Sequence, residues 1–190
     1  PGRPIPLNDY ARGYSFSCIA FHAEPADKPT QPMRPCAFLA SNRGLLFKVD
    51  CRKEEILCAY RLHQGPITSL AVHGGYAVTG GDDARLRIWP LSFNDFLLEA
   101  HHESTVTNVH VETTGRKLVV GTTAGTLGIL DIRGHGYKTV VRSHVGPVLS
   151  CTGRMPLCKE FATVGADCTI RVWETDTGVQ KFEFASPDDA

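Results

Sequence analysis

A histidine, a hydroxyl and a carboxylate, the set that cleaves esters and peptides, recur in fixed order: His63, Thr79 and Asp83, then His144, Thr163 and Asp167. In a hydrolase the imidazole takes the proton of the hydroxyl while the carboxylate orients the ring. Such a centre is needed once, yet this set appears twice. Each copy ends on a tryptophan, Trp89 or Trp173, ten residues after the threonine and six after the aspartate. Recurrence at a structural period points to a building role. Gly134-His135-Gly136-Tyr137-Lys138-Thr139 imitates a phosphate loop but lacks the spacing of one, so it reads as a connection between strands. The adjacent His101 and His102 would point to opposite faces of an extended segment, and no thiol or carboxylate cluster accompanies them. Seven cysteines, an odd number with no C-x-x-C pair, fit neither a disulfide framework nor a zinc cage and read as reduced, mostly buried thiols. No catalytic residue, metal or cofactor is expected; the chain does not read as an enzyme.

The elements that must hold these residues follow from composition and period. Of 190 residues, 42% are hydrophobic and 21% charged, with 20 basic side chains balancing 20 acidic ones. That suits a folded core and excludes disorder as the main state. A net charge of zero argues against a general binder of nucleic acid or of acidic membranes. No run approaches the ~18 apolar residues of a membrane span, and residues 1–10 lack the regions of a signal peptide, so a cytoplasmic protein without membrane or nucleic-acid partners is expected. A start at Pro1-Gly2 without methionine is expected of a piece of something longer.

Four segments align on a bulky anchor: Val49, Trp89, Leu130 and Trp173, 40, 41 and 43 residues apart. Short β-branched or aromatic runs precede each anchor (16–21, 67–72, 106–111, 148–152, then 36–41, 76–80, 117–121, 161–164), and a fourth run follows it (56–62, 96–100, 137–142, 179–184). Turn residues such as Gly81-Asp82-Asp83-Ala84 separate the second run from the anchor run at hairpin spacing. Four antiparallel strands per repeat, and no long amphipathic helix, define an all-β chain. The insertion 23–35, with Pro25, Pro29, Pro32 and Pro35, is expected to be a protruding loop, because proline removes a ladder donor.

A period of roughly 40 to 45 residues is that of WD40 propeller blades, and the repeats resemble the WD40 family residue by residue. In that family the histidine before the first strand, the Ser or Thr of the second, the Asp of the next turn and the Trp of the third form a buried hydrogen-bonded tetrad. The resemblance therefore implies two structural tetrads: His63, Thr79, Asp83 and Trp89, and His144, Thr163, Asp167 and Trp173. The other two repeats keep only His102 and place Leu39, Arg43 and Val49, or Val120, Ala124 and Leu130, at the remaining positions, so apolar packing is expected to hold them. The implied fold is a WD40 β-propeller with four four-stranded blades visible (about 14–62, 63–101, 102–143 and 144–185), residues 1–13 forming a linker or edge strand. Four blades imply part of a larger, seven- or eight-bladed ring.

The run Trp89-Pro90-Leu91-Ser92-Phe93 with Leu98-Glu99-Ala100-His101-His102-Glu103 is similar to one branch of the family, the large centriolar and ciliary WD40 proteins. This resemblance implies a non-catalytic scaffold of the centriole, basal body or ciliary axoneme. Its expected partners are microtubule-wall proteins, tubulin and inner-scaffold proteins among them, and the remaining blades of its own chain. The alternative is a WD40 adaptor of a ubiquitin-ligase, trafficking or signalling complex. Either would use the loop edge of the blades, which offers Asn42, Arg43, Gln64, Asp82, His101, Glu103 and Arg142.

Overall fold

The computed structural model describes residues 13–24, 32–134, 136–140, 143–153 and 159–185. Its strands form four antiparallel four-stranded sheets, each in sequence order. The first sheet contains β1 (Phe16–Glu24), β2 (Arg34–Ser41), β3 (Leu45–Asp50) and β4 (Glu55–Arg61). The second contains β5 (Ile67–His73), β6 (Tyr76–Gly81), β7 (Arg85–Pro90) and β8 (Leu98–His101). The third contains β9 (Val106–Val111), β10 (Lys117–Thr122), β11 (Leu127–Asp131) and β12 (Gly136–Val140). The fourth contains β13 (Val148–Gly153), β14 (Glu160–Gly165), β15 (Thr169–Glu174) and β16 (Gln180–Ala185). The chain divides into two compact units, Pro1–Ala100 and His101–Ala190.

In unit 1 the first sheet lays Phe38, Ala40, Leu46, Tyr60 and Leu62 against Ile67, Ala77, Trp89 and Phe93 of the second. In unit 2 Val119, Leu127 and Ile129 of the third sheet meet Val148, Cys151, Phe161 and Trp173 of the fourth. Alternate side chains of a strand face one side, so each anchor tryptophan seals the seam behind its sheet. A hydroxyl adds a polar tie in both units: Ser17 donates to the carbonyl of Ile67, and Thr107 to that of Val148.

Phe93 closes the seam of unit 1. The Phe93 amide bonds the Pro90 carbonyl at 2.9 Å and the backbone turns left-handed (φ 51°). That turn folds the ring into the core, 4.9 Å from the Tyr60 ring and 5.5 Å from Phe38. Phe96, read from sequence as strand, sits before β8 and sets its ring edge-on to Trp89 at 5.8 Å.

Two further expectations are corrected. The hairpin of the first sheet reaches into the segment read as a loop: Ala23 pairs with Pro35 and Glu24 with Arg34. Proline is tolerated near the start of a strand, and the Pro35 carbonyl still accepts the Cys51 amide at 3.0 Å; Pro25 and Pro29 lie outside the described residues. The six thiols among the described residues are free, but fewer are buried than expected. Cys36 and Cys151 are buried, whereas Cys51 and Cys168 sit exposed in turns.

Candidate functional site

The segment between β4 and β5 carries His63 into a position closed off from solvent. Its Nε2 lies 2.8 Å from Thr79 Oγ1 and its Nδ1 2.9 Å from Asp83 Oδ1, while Trp89 Nε1 donates to the same threonine oxygen at 2.9 Å. One proton arrangement satisfies all four groups. The indole donates to the hydroxyl, the hydroxyl donates to Nε2, and Nδ1–H donates to the carboxylate. The fourth sheet repeats it: His144 Nε2 is 2.7 Å from Thr163 Oγ1, its Nδ1 3.0 Å from Asp167 Oδ1, and Trp173 Nε1 2.8 Å from Thr163 Oγ1. Both threonines are fully buried. Each hydroxyl is committed to the histidine as donor and the indole as acceptor, so neither is placed to attack a substrate.

What the tetrads hold are turns. Asp83 Oδ1 accepts the Arg85 amide at 3.3 Å; Asp167 accepts the Thr169 amide at 3.2 Å and the Val145 amide at 2.9 Å. Burial drives the Asp167 carboxyl up, but the bonds from the Val145 amide, the Thr169 hydroxyl and His144 outweigh it and hold the group well below the usual carboxylate range. Burial lowers His63, with the Asp83 carboxylate opposing only in part.

Both depressed values mean that the unfolded chain binds more protons, so stability rises with pH through each window. Denaturant titrations should show stability falling from about pH 6.5 downward as His63 resists protonation, and again below about pH 4 as Asp167 is forced to accept a proton. Stability that increased between pH 6.5 and 5 would contradict the neutral, buried His63.

Sequence reading missed an extension of the tetrad. Arg87 Nε bonds Glu99 Oε2 at 2.6 Å, Arg85 Nη1 reaches Glu99 Oε1 at 3.0 Å, and Arg87 lies 3.8 Å from Asp83. Arg171 stands likewise between Glu183 at 3.2 Å and Asp167 at 3.7 Å. The signal was present: an arginine two residues before each tryptophan and a glutamate twelve beyond it.

The sheets without tetrads depart from the expectation of apolar packing alone. The turn amide that Asp83 and Asp167 hold is held in the first sheet by Ser41, whose Oγ accepts the Leu45 amide at 3.1 Å. In the third sheet Thr122 Oγ1 accepts the Thr126 amide at 3.2 Å. Where these hydroxyls stand, the tetrad sheets carry Gly81 and Gly165. A Cβ at Gly81 would lie 2.4 Å from both Asp83 Oδ1 and His63 Nδ1, and one at Gly165 2.3 Å from His144 Nδ1. The two devices exclude each other sterically. His102, the remaining tetrad-type histidine, is half-buried and has Nε2 3.0 Å from the Tyr137 hydroxyl.

In unit 1 the turn of Asn42 and Arg43 and the turn of Asp82 flank the 63–66 segment. Gly44 O accepts the Leu62 and His63 amides, and Pro66 O accepts the Asp82 amide. Asn42, Arg43, Gln64 and Asp82 are all exposed there. In unit 2 His101 and Glu103 are exposed, and Arg142 lies outside the described residues.

The family model "WD domain, G-beta repeat" matches residues 54–90 and 132–174, each ending at a tetrad tryptophan strand. The chain belongs to the WD40-repeat family. Both matched segments end in complete tetrads, and the hydroxyl-braced hairpins of the first and third sheets lie outside them. The chain is similar to human WD repeat-containing protein 90, 32% identical over 98% of this chain and 12% of that protein. It is also similar to centriole proteome protein 16 of Chlamydomonas reinhardtii, 46% identical over 56% of this chain and 5% of that protein. It thus spans a small part of either relative. In fold it matches a chain in the crystal structure of the mitotic checkpoint complex, with a TM-score of 0.74, 18% identity, and coverage of 80% of this chain and 48% of that one.

Proposed function

We propose that this WD40 segment is a non-catalytic scaffold that presents its turn edges to proteins of the centriolar or axonemal microtubule wall, tubulin and inner-scaffold proteins among them. The observation that carries this reading is the similarity, at 46% identity, to a protein named for the centriole proteome. The tetrad of the second sheet supports it by fixing the turn that carries Asp82 from within, as Ser41 fixes the turn that carries Asn42 and Arg43, so that these residues and Gln64 stand exposed on the edge.

The remaining blades of a longer protein are the second class of partner. Ile170 and Phe184 pair across β15 and β16 as Leu46 and Tyr60 pair across β3 and β4. Ile170 is 45% and Phe184 57% exposed, whereas Leu46 is fully buried against the second sheet. A further blade is the natural cover for that apolar face, and a seven- or eight-bladed ring supplies one.

The test is the location of the tagged full-length protein in ciliated cells. Enrichment at centrioles, basal bodies or axonemes is expected. A diffuse cytoplasmic or nuclear signal would remove the centriolar reading and leave a WD40 adaptor of some other complex.

A further inference from the structure

We propose that Arg43 and Arg61 form a binding site for the carboxylates of an acidic protein segment. Arg43 sits on the turn between β2 and β3, Arg61 ends β4, and Arg61 Nη1 donates to the Arg43 carbonyl at 3.4 Å. The Arg61 guanidinium thus lies against the backbone of the turn that carries Arg43, and both residues are exposed. Arg85 and Arg87 of the second sheet, by contrast, share Glu99. Arg43 and Arg61 meet no carboxylate among the described residues; Arg43 has the Tyr14 ring under it at 5.2 Å, and Arg61 has the carbonyl bond. Two neighbouring cations without a counter-charge favour an anion between them.

The corner is preorganised for one. The Tyr14 ring, 5.2 Å from the Arg43 guanidinium carbon, restrains that side chain, and a guanidinium offers a planar fork that suits a bidentate carboxylate. The turn beneath is tied on both sides, by Asn42 N to Ser15 O at 3.0 Å and by Gly44 O to the Leu62 amide at 2.9 Å. Gln64 and Asn42 add neutral hydrogen-bonding groups on the same edge. The nearby acidic Asp82 belongs to the next turn, beyond Gly65, and has an interaction of its own. Unit 2 carries Ala124 at the position of Arg43, so the site is not a general property of these turns. Overall charge balance selects a short acidic stretch of protein over a nucleic acid, which needs an extended basic surface. The inference is independent of any centriolar location.

The 190-residue chain is titrated against fluorescein-labelled hexaglutamate at low salt, with anisotropy as the readout. Hexaglutamine and a neutral peptide carrying one phosphoserine are the comparison probes. Hexaglutamate is expected to bind, hexaglutamine not, and added salt to weaken the complex. Arg43→Ala and Arg61→Ala should each weaken it by about tenfold, with unchanged thermal unfolding because both side chains are exposed. Arg43→Lys, which keeps the charge but not the fork, should fall between. Arg133→Ala, an exposed arginine of unit 2, should have no effect. The proposal is overturned if hexaglutamate fails to bind, if its affinity is indifferent to Arg43 and Arg61, if Arg133→Ala costs as much, or if the phosphoserine peptide alone binds.

Discussion

Gly44→Ala should lower the melting temperature by about 5 to 15 °C, while Gly74→Ala in the same unit should cost only a few degrees. Both glycines have a left-handed backbone, φ +73° and +54°. Nothing lies within 4 Å of a Cβ at Gly74; one at Gly44 would fall 2.1 Å from the His63 carbonyl oxygen and 2.8 Å from that of Gly65. Backbone strain is not the deciding term at Gly44, since the corresponding position of the next hairpin is Ala84 at φ 57°. The close approach decides. Gly44 O receives the Leu62 and His63 amides at 2.9 and 3.2 Å, so the first sheet's turn is pressed onto the segment that delivers the tetrad histidine. Separating them combines about 1 to 2 kcal/mol of left-handed strain with about 1 to 3 kcal/mol of overpacking. Paired thermal melts decide the matter; equal losses in the two variants would mean that the turn does not bear on His63.

The all-β class and the repeat could be read from residues because each has a local cause, whereas the tetrad residues were implied by the resemblance to the WD40 family. Alternating β-branched runs make strands, and a tryptophan at a constant offset from a Thr and an Asp marks one register. What could not be read depended on register between strands. The Arg87–Glu99 pair joins residues on different strands, and only the pairing that brings β8 beside β7 makes twelve residues of separation into contact. Phe93 was visible as part of Trp-Pro-Leu-x-Phe, but its burial requires a left-handed turn that no side chain announces. Ser41 and Thr122 stand two residues before the position of Asp83 and Asp167, so the register that marks the tetrads does not mark them. Pro35 misled because the rule against proline in strands is weakest at a strand's start.

The exclusion between hydroxyl and tetrad gives the second large effect a sign that packing alone would not. Asp83→Ala removes the Nδ1 partner of a buried His63 and the acceptor of the Arg85 amide, and should cost about 1 to 3 kcal/mol. Gly81→Ser in the intact chain should cost a similar amount, because its Cβ meets Asp83 Oδ1 and His63 Nδ1 at 2.4 Å. With His63→Ala and Asp83→Ala already made, those atoms are gone and the Arg85 amide lacks its acceptor. The same Gly81→Ser should then recover about 1 kcal/mol, because a hydroxyl there can take that amide as Ser41 takes Leu45. Denaturant unfolding of the four proteins measures the coupling. A serine that destabilises equally in both backgrounds would show that the two devices are not alternatives for one amide. A serine that reverses sign would show that the tetrad's task is to hold the turn carrying Asp82 to the exposed edge, the task a single hydroxyl performs for the turn carrying Arg43.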